Sequence, residues 1–136
     1  MALVVDTCVL LDVRMGDPVH GPLAAGCLQA RASEGLVVCP VTLIELAPAF
    51  HGDLGAQRTW LEGLGFSTHE PWLEADTALA HDLWHAHIQR KRSGASAKRP
   101  VADVLIAAFA SRFDGLITRN AVDFKNAAPH LPLVVP

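Results

Sequence analysis

Four short apolar runs recur along the chain: Ala2 to Val5, 36–40 (LVVCP), 115–118 (GLIT) and 131–135 (LPLVV). Each has the length of a buried strand and is too short for a helix. Longer stretches with helical character lie between them. Leu23 to Ser33 is Ala-rich and closed by Gly35, and Thr42 to Leu46 is ended by Pro48. A further helix is expected over 54–64, closed by Gly65, and another from about Leu73 to Lys91. Pro100 suits the first position of a helix running to about Phe113. "MGDPVHGP" (15–22) and "RSGAS" (92–96) are rich in breakers and read as loops. Strands alternating with helices define an α/β sandwich around a mainly parallel sheet. With 136 residues, no repeat and no linker, a single domain over 1–136 is expected.

Composition narrows the function classes. No apolar run approaches the roughly 18 residues that span a bilayer, although mean hydropathy is +0.28. No Lys or Arg precedes the first apolar stretch, and Asp6 interrupts it early, so a signal peptide is not expected. The expectation is a cytoplasmic protein with no membrane partner. Cys8, Cys27 and Cys39 show no C-x-x-C spacing and read as reduced, mostly buried residues. The net charge of -3 does not mark a nucleic-acid binder by itself. Yet Arg90, Lys91, Arg92, Lys98 and Arg99 crowd one short stretch, which offers a local patch for phosphates. The same charges would also suit a solvated helix end. Arg112 and Arg119 could assist.

Four acids carry the chemical signal. Asp6 ends the first strand, at the edge where open α/β sheets form ligand sites. Glu45 lies in "VTLIELA", where Thr42 and Glu45 also fit a capping box. Asp103 stands in the otherwise apolar helix "VADVLIAAFA", where a carboxylate is costly unless partnered. A first-turn position on the helix dipole is its ordinary structural role. Asp123 follows a strand in "LITRNAVDF", a place that also suits a turn or helix cap. Strand C-termini and the helix starts that follow them share one edge of a parallel sheet, so the four can converge. Two unit charges about 4 Å apart repel by roughly 4 kcal/mol at a surface-like dielectric. Convergence therefore calls for protons or cations. Hard oxygen ligands with Thr7, Thr118 and Asn120 nearby suit Mg²⁺ or Mn²⁺. Such ions activate water and stabilise charge at a phosphoryl centre.

Other features read as structural. His81, His85 and His87 crowd one helix, but "HDLWH" lacks the Glu of a zinc-protease helix. Asp12 would neighbour the site if a helix follows Asp6, but reads rather as a solvated loop acid, and Asp82 as a surface charge. Trp60, Trp72 and Trp84 read as core or interface residues.

The segments "VVDTCVLLD", "VTLIEL", "RPVADVLIAAFA" and "LITRNAVDF" together resemble the PIN-domain nucleases, in particular the VapC-type toxins of toxin–antitoxin pairs. The resemblance covers nearly the whole chain and implies a PIN-like three-layer sandwich. It implies an acidic metal site of Asp6, Glu45, Asp103 and Asp123, supported by Thr7, Thr118 and Asn120. It further implies Mg²⁺-dependent cleavage of RNA, with Mn²⁺ as a substitute, a cognate antitoxin protein and a homodimer. Two positions depart from the pattern: Cys8 stands where Ser or Asn is common, and Pro48 closely follows Glu45. Three other readings compete: a PIN nuclease of RNA processing without an antitoxin, a non-catalytic PIN interaction module, and a D-x-D phosphatase. "DTCVL" lacks the second Asp of the last.

Overall fold

The computed structural model describes residues 2–92 and 101–136, and the side chains of Lys91 and Arg92 lie outside that description. The strands are β1 (Leu3–Val5), β2 (Leu36–Val37), β3 (Phe66–Ser67), β4 (Gly115–Ile117) and β5 (Leu133–Val134). The helices are α1 (Thr7–Arg14), α2 (His20–Arg31), α3 (Pro40–Glu45), α4 (Leu54–Gly63), α5 (Glu74–Arg92), α6 (Val101–Ala110) and α7 (Ala121–Ala127).

All four strand pairings are parallel, and the spatial order is β3-β2-β1-β4-β5. A parallel sheet with crossover helices is covered on both faces, so its strands are apolar throughout rather than alternating. Leu3, Val5, Leu36, Val38 and Ile117 face one side, where they meet Val9 and Leu10 of α1, Leu28 of α2 and Leu61 of α4. Val4, Val37 and Leu116 face the other, against Ile106 and Phe109 of α6 and Phe124 of α7. The result is helix, sheet, helix in three layers.

Helix α6 is apolar nearly all round because it is buried nearly all round. Its Ile106, Ala107 and Phe109 lie on the sheet, while Val104 and Ala108 pack outward with Ala80 of α5 and Ala127 of α7. Trp72 stacks on Phe109 at 6.4 Å, and Trp60 packs on Phe50 at 5.5 Å.

The structure adds three elements to those expected and moves several boundaries; the helix expected to run to about Phe113 ends at Ala110. Helix α1 starts immediately after β1, because Asp6 adopts an extended N-cap conformation and its carboxylate accepts from Thr7 N–H. The loop after α1 is shorter than expected, since α2 begins at His20. Asp17 Oδ1 accepts from the amides of Val19 and His20, and Pro22 falls in the first turn, where its missing N–H costs nothing. Strand β3 and helix α7 were hidden by their brevity. Helix α3 starts two residues early, at Pro40 with Cys39 as N-cap. Thr42 is therefore inside the helix and Glu45 is its last residue, so the two form no capping box. A 3-10 turn over Ala47–Phe50 contains Pro48. The "RSGAS" loop beyond Arg92 and the helix-opening role of Pro100 lie outside the described residues.

Gly115 admits no side chain: a Cβ there would stand 2.7 Å from the carbonyl oxygen of Pro132, the residue just before β5. Gly26 lies exposed within α2 with open space where a Cβ would go. Gly115→Ala is expected to lower unfolding free energy by about 1–3 kcal/mol through overpacking. Gly26→Ala is expected to raise it by about 0.5–1 kcal/mol through helix propensity. Urea unfolding of both variants beside wild type checks the opposite signs.

Candidate functional site

Strand order reverses direction between β1 and β4, which makes the ends of those strands the topological switch point of the sheet. Asp6 follows β1 and Thr118 follows β4 there. Their main chains are joined by a bond from Asp6 N–H to Ile117 O of 2.9 Å. The Asp6 carboxylate is buried, 4% exposed, and collects three donors. Thr7 N–H donates to Oδ1 at 2.8 Å. Oδ2 accepts from the Thr118 hydroxyl at 2.8 Å and from the Cys8 thiol at 3.1 Å. Thr118 Oγ1 in turn accepts from Asn120 N–H at 3.0 Å, which fixes the entry to α7.

A second carboxylate joins through a hydroxyl. Thr7 Oγ1 lies 2.7 Å from Glu45 Oε1 and 3.0 Å from the buried Thr42 Oγ1. A hydroxyl has one proton, and a carboxylate only accepts. Thr7 therefore donates to Glu45, and the Thr42 hydroxyl donates to Thr7. Glu45 ends α3 rather than starting a helix, which places a negative charge at the negative end of the helix dipole. The hydroxyl chain Thr42–Thr7–Glu45 offsets that arrangement.

Asp103 and Asp123 occupy the first turns of α6 and α7. Helix α6 leads through 111–114 into the start of β4, so its N-terminus lies roughly 15 Å back, towards the opposite edge of the sheet, where β1 and β4 end. Asp103 is partly exposed, while Asp123 and Glu45 are exposed. The acids thus share one edge of the sheet, and Thr7 links two of them, its N–H bonding Asp6 and its hydroxyl bonding Glu45. Among the described residues, no group of three or more His, Cys, Asp or Glu stands close enough to hold a metal ion.

Cys8 does not add a soft ligand. Burial first, and then the adjacent Asp6 charge, push its thiol up to about 12, so at neutral pH it stays protonated and donates to Asp6. The polar atoms around Asp6 and Glu45 are therefore carboxylate and hydroxyl oxygens, the hard type of donor.

Several sequence expectations change here. Asp12 is no solvated loop acid: it is buried within α1 and accepts two bonds from Arg119, Nε at 2.7 Å and Nη2 at 3.0 Å. Arg112 serves the packing of α5 and α6. It donates to the buried Asp76 at 2.8 and 3.0 Å and to Pro71 O, and it lies over the Phe109 and Phe113 rings. Arg90 donates to Asn126 O at 2.6 Å and ties α5 to α7. Lys98 and Arg99 lie outside the described residues, as do the side chains of Lys91 and Arg92. His81 and His85 are exposed, and His87 stacks on Trp84 at 5.7 Å. All three cysteines are free.

Beside the acidic edge runs an apolar groove of about 620 Å³ between α3, α5 and α6. Val41, Ile44, Trp72, Trp84, Val101 and Val104 are among its lining residues. Ile44 is 74% exposed at its rim. Among the described residues, no helix is long and apolar enough to cross a membrane. No family model matches the chain, and no curated protein matches it.

Sequence reading alone missed Thr42 and the Asp12–Arg119 pair. Thr42 and Thr7 are 35 positions apart, and Asp12 and Arg119 are 107 apart, so no spacing motif could reveal either contact.

Two predictions follow from this geometry. Thr118→Val leaves the buried Asp6 carboxylate one donor short and is expected to cost about 1–3 kcal/mol of stability, which Thr118→Ser restores. Urea unfolding of both variants is the check. Cys8 and Cys39 titrate near 12 in the folded chain against 9.0 for a free thiol, chiefly through burial. A raised folded value means that their stabilisation is intact below about pH 9 and is lost as pH rises toward 12. Unfolding midpoints measured across that range fall for wild type, and fall less for a Cys8→Ser/Cys39→Ala variant.

Proposed function

We propose that the chain is a divalent-metal-dependent endoribonuclease with a PIN-like fold, and the toxin half of a VapC-type toxin–antitoxin pair. The observation that carries this reading is the Asp6 carboxylate at the switch point of an all-parallel sheet, with Glu45 one hydroxyl away. The first turns of α6 and α7 bring Asp103 and Asp123 to the same edge. The ordered match of four segments to the PIN pattern adds the reaction class.

In this reading Asp6, Glu45, Asp103 and Asp123 would hold Mg²⁺, or Mn²⁺ in its place, which when bound would supply an activated water and charge stabilisation at the phosphoryl centre. The protein's part is positional. Thr118 and Thr7 N–H fix the Asp6 carboxylate, and Thr42 and Thr7 aim Glu45. Asp103 stands in the first turn of α6, at the positive end of the helix dipole. Arg119, next to Thr118, would contact the RNA backbone without reading its sequence. The apolar groove beside α3 is the surface that a second protomer or an antitoxin segment would cover.

A non-catalytic interaction module is the second reading. The hydroxyl-satisfied state of Asp6 and Glu45 favours it.

The test is incubation of the purified protein with tRNAs, rRNA fragments and short single-stranded RNAs in Mg²⁺ or Mn²⁺. Parallel reactions contain EDTA, or the Asp6→Asn or Asp103→Asn variant. Cleavage should vanish with EDTA and fall roughly a hundredfold or more in each variant, the scale of losing an electrostatic stabiliser. Equal residual cleavage by wild type and variants would remove the catalytic claim. Failure to cleave together with failure to bind Mn²⁺ would favour the interaction module.

A further inference from the structure

Resting on the nuclease reading, we propose that Asp12 is a positioning residue for substrate phosphate, acting by holding the Arg119 guanidinium at the rim of the acidic edge. The pair is asymmetric in its exposure. The Asp12 side chain is 6% exposed and that of Arg119 is 37% exposed. The buried carboxylate is fully engaged, while the cation faces solvent.

The guanidinium is planar and carries five N–H donors. Asp12 takes one from Nε and one from Nη2, which lie along a single edge of that plane. A two-point contact fixes the plane and leaves the Nη1 side directed away from Asp12. The main chain of Arg119 is fixed as well. Its neighbours Thr118 and Asn120 share the Thr118 Oγ1 contact. Cys8 and Thr118 both donate to Asp6 Oδ2, so Arg119 is anchored directly beside the first acid of the site. Asp17 is a further charge that Arg119 feels, and the Asp12 contact dominates.

An acidic edge repels a phosphodiester, so a cation held in one orientation beside it has a task that a free surface arginine performs less well. Arg112 and Arg90 bond elsewhere in the packing. Substrate phosphate would take the Nη1 side of Arg119 while Asp12 keeps the Nε side. Asp12 touches no substrate in this arrangement.

The sign of one mutation separates this idea from bulk electrostatics. Asp12→Asn removes a negative charge near the site, so simple charge counting predicts tighter RNA binding. Orientation by Asp12 predicts weaker binding. The experiment titrates a fluorescein-labelled single-stranded RNA of mixed sequence into wild type, Asp12→Asn, Arg119→Ala and Arg119→Lys. Anisotropy is read in Ca²⁺ across a salt series, with RNA length checked by gel and folding by circular dichroism melts.

Arg119→Ala should weaken binding about fivefold to tenfold, the scale of one solvent-exposed charge-assisted contact. It should also flatten the salt slope by about 0.7, the value for one phosphate contact on a single strand. Asp12→Asn should weaken binding in the same direction, and Arg119→Lys should fail to restore it because it keeps the charge and loses the fork. An Asp12→Asn/Arg119→Ala double variant, titrated alongside, should bind like Arg119→Ala. Tighter or unchanged binding by a folded Asp12→Asn overturns the proposal, and so does full binding by Arg119→Lys or no RNA binding by wild type. If Asp12→Asn does not fold, Arg119→Lys decides alone. Mg²⁺-dependent cleavage is scored separately. Cleavage with unaltered variants refutes the positioning role alone, whereas variant-sensitive binding without cleavage refutes the nuclease reading alone.

Discussion

A parallel sheet covered on both faces has no room for polar side chains along its strands. That constraint organises this molecule. Val4 and Val5 are fully buried on opposite sides of the same strand, and Leu116 and Ile117 repeat the arrangement next door. Polar chemistry is displaced to the strand ends, where Asp6 and Thr118 stand one residue past the last ladder position. The switch in strand order keeps those two ends free of a crossover directly above them. The bond between the Asp6 carboxylate and the Thr118 hydroxyl is thus a consequence of the sheet's burial as much as of local sequence.

Helix α1 converts that position into a site. It is tied to the β4–α7 connection at two levels: Asp6 to Thr118 at its N-cap, and Asp12 to Arg119 farther along. One side of the helix is packed by Val9 and Leu10 into the core. Its sheet-edge end carries Thr7, which reaches across to Thr42 and Glu45 of α3. Three parts of the chain far apart in sequence are therefore held in register by one eight-residue helix. Its place beside the acids follows from Asp6 serving both as strand terminus and as helix cap.

Much of this was legible in the residues. The apolar runs at 2–5, 36–40, 115–118 and 131–135 each contain a strand of the structure, because strands buried on both faces need continuous apolar sequence. The helix over Val101–Ala110 was legible from the same cause. Strand β3 was not, since Phe66 and Ser67 alone offer no periodicity. Helix α3 was misplaced because Thr42 and Glu45 have the spacing of a capping box, while the true start is set by Pro40 and the chain's exit from β2. Asp12 was misread because nothing near it in sequence supplies a partner; Arg119 does so from 107 positions away.

By itself, the sequence determined an α/β chain with an apolar sheet, an apolar helix carrying Asp103, and acids placed at the strand ends and helix termini. These are matters of periodicity, burial and turn chemistry, which act over a few residues. Only the tertiary structure decided the strand order, the hydroxyl chain from Thr42 through Thr7 to Glu45, and the fork that Arg119 makes on Asp12. Those depend on which distant backbone segments pack together, and side chains that meet only through packing leave no trace in their spacing.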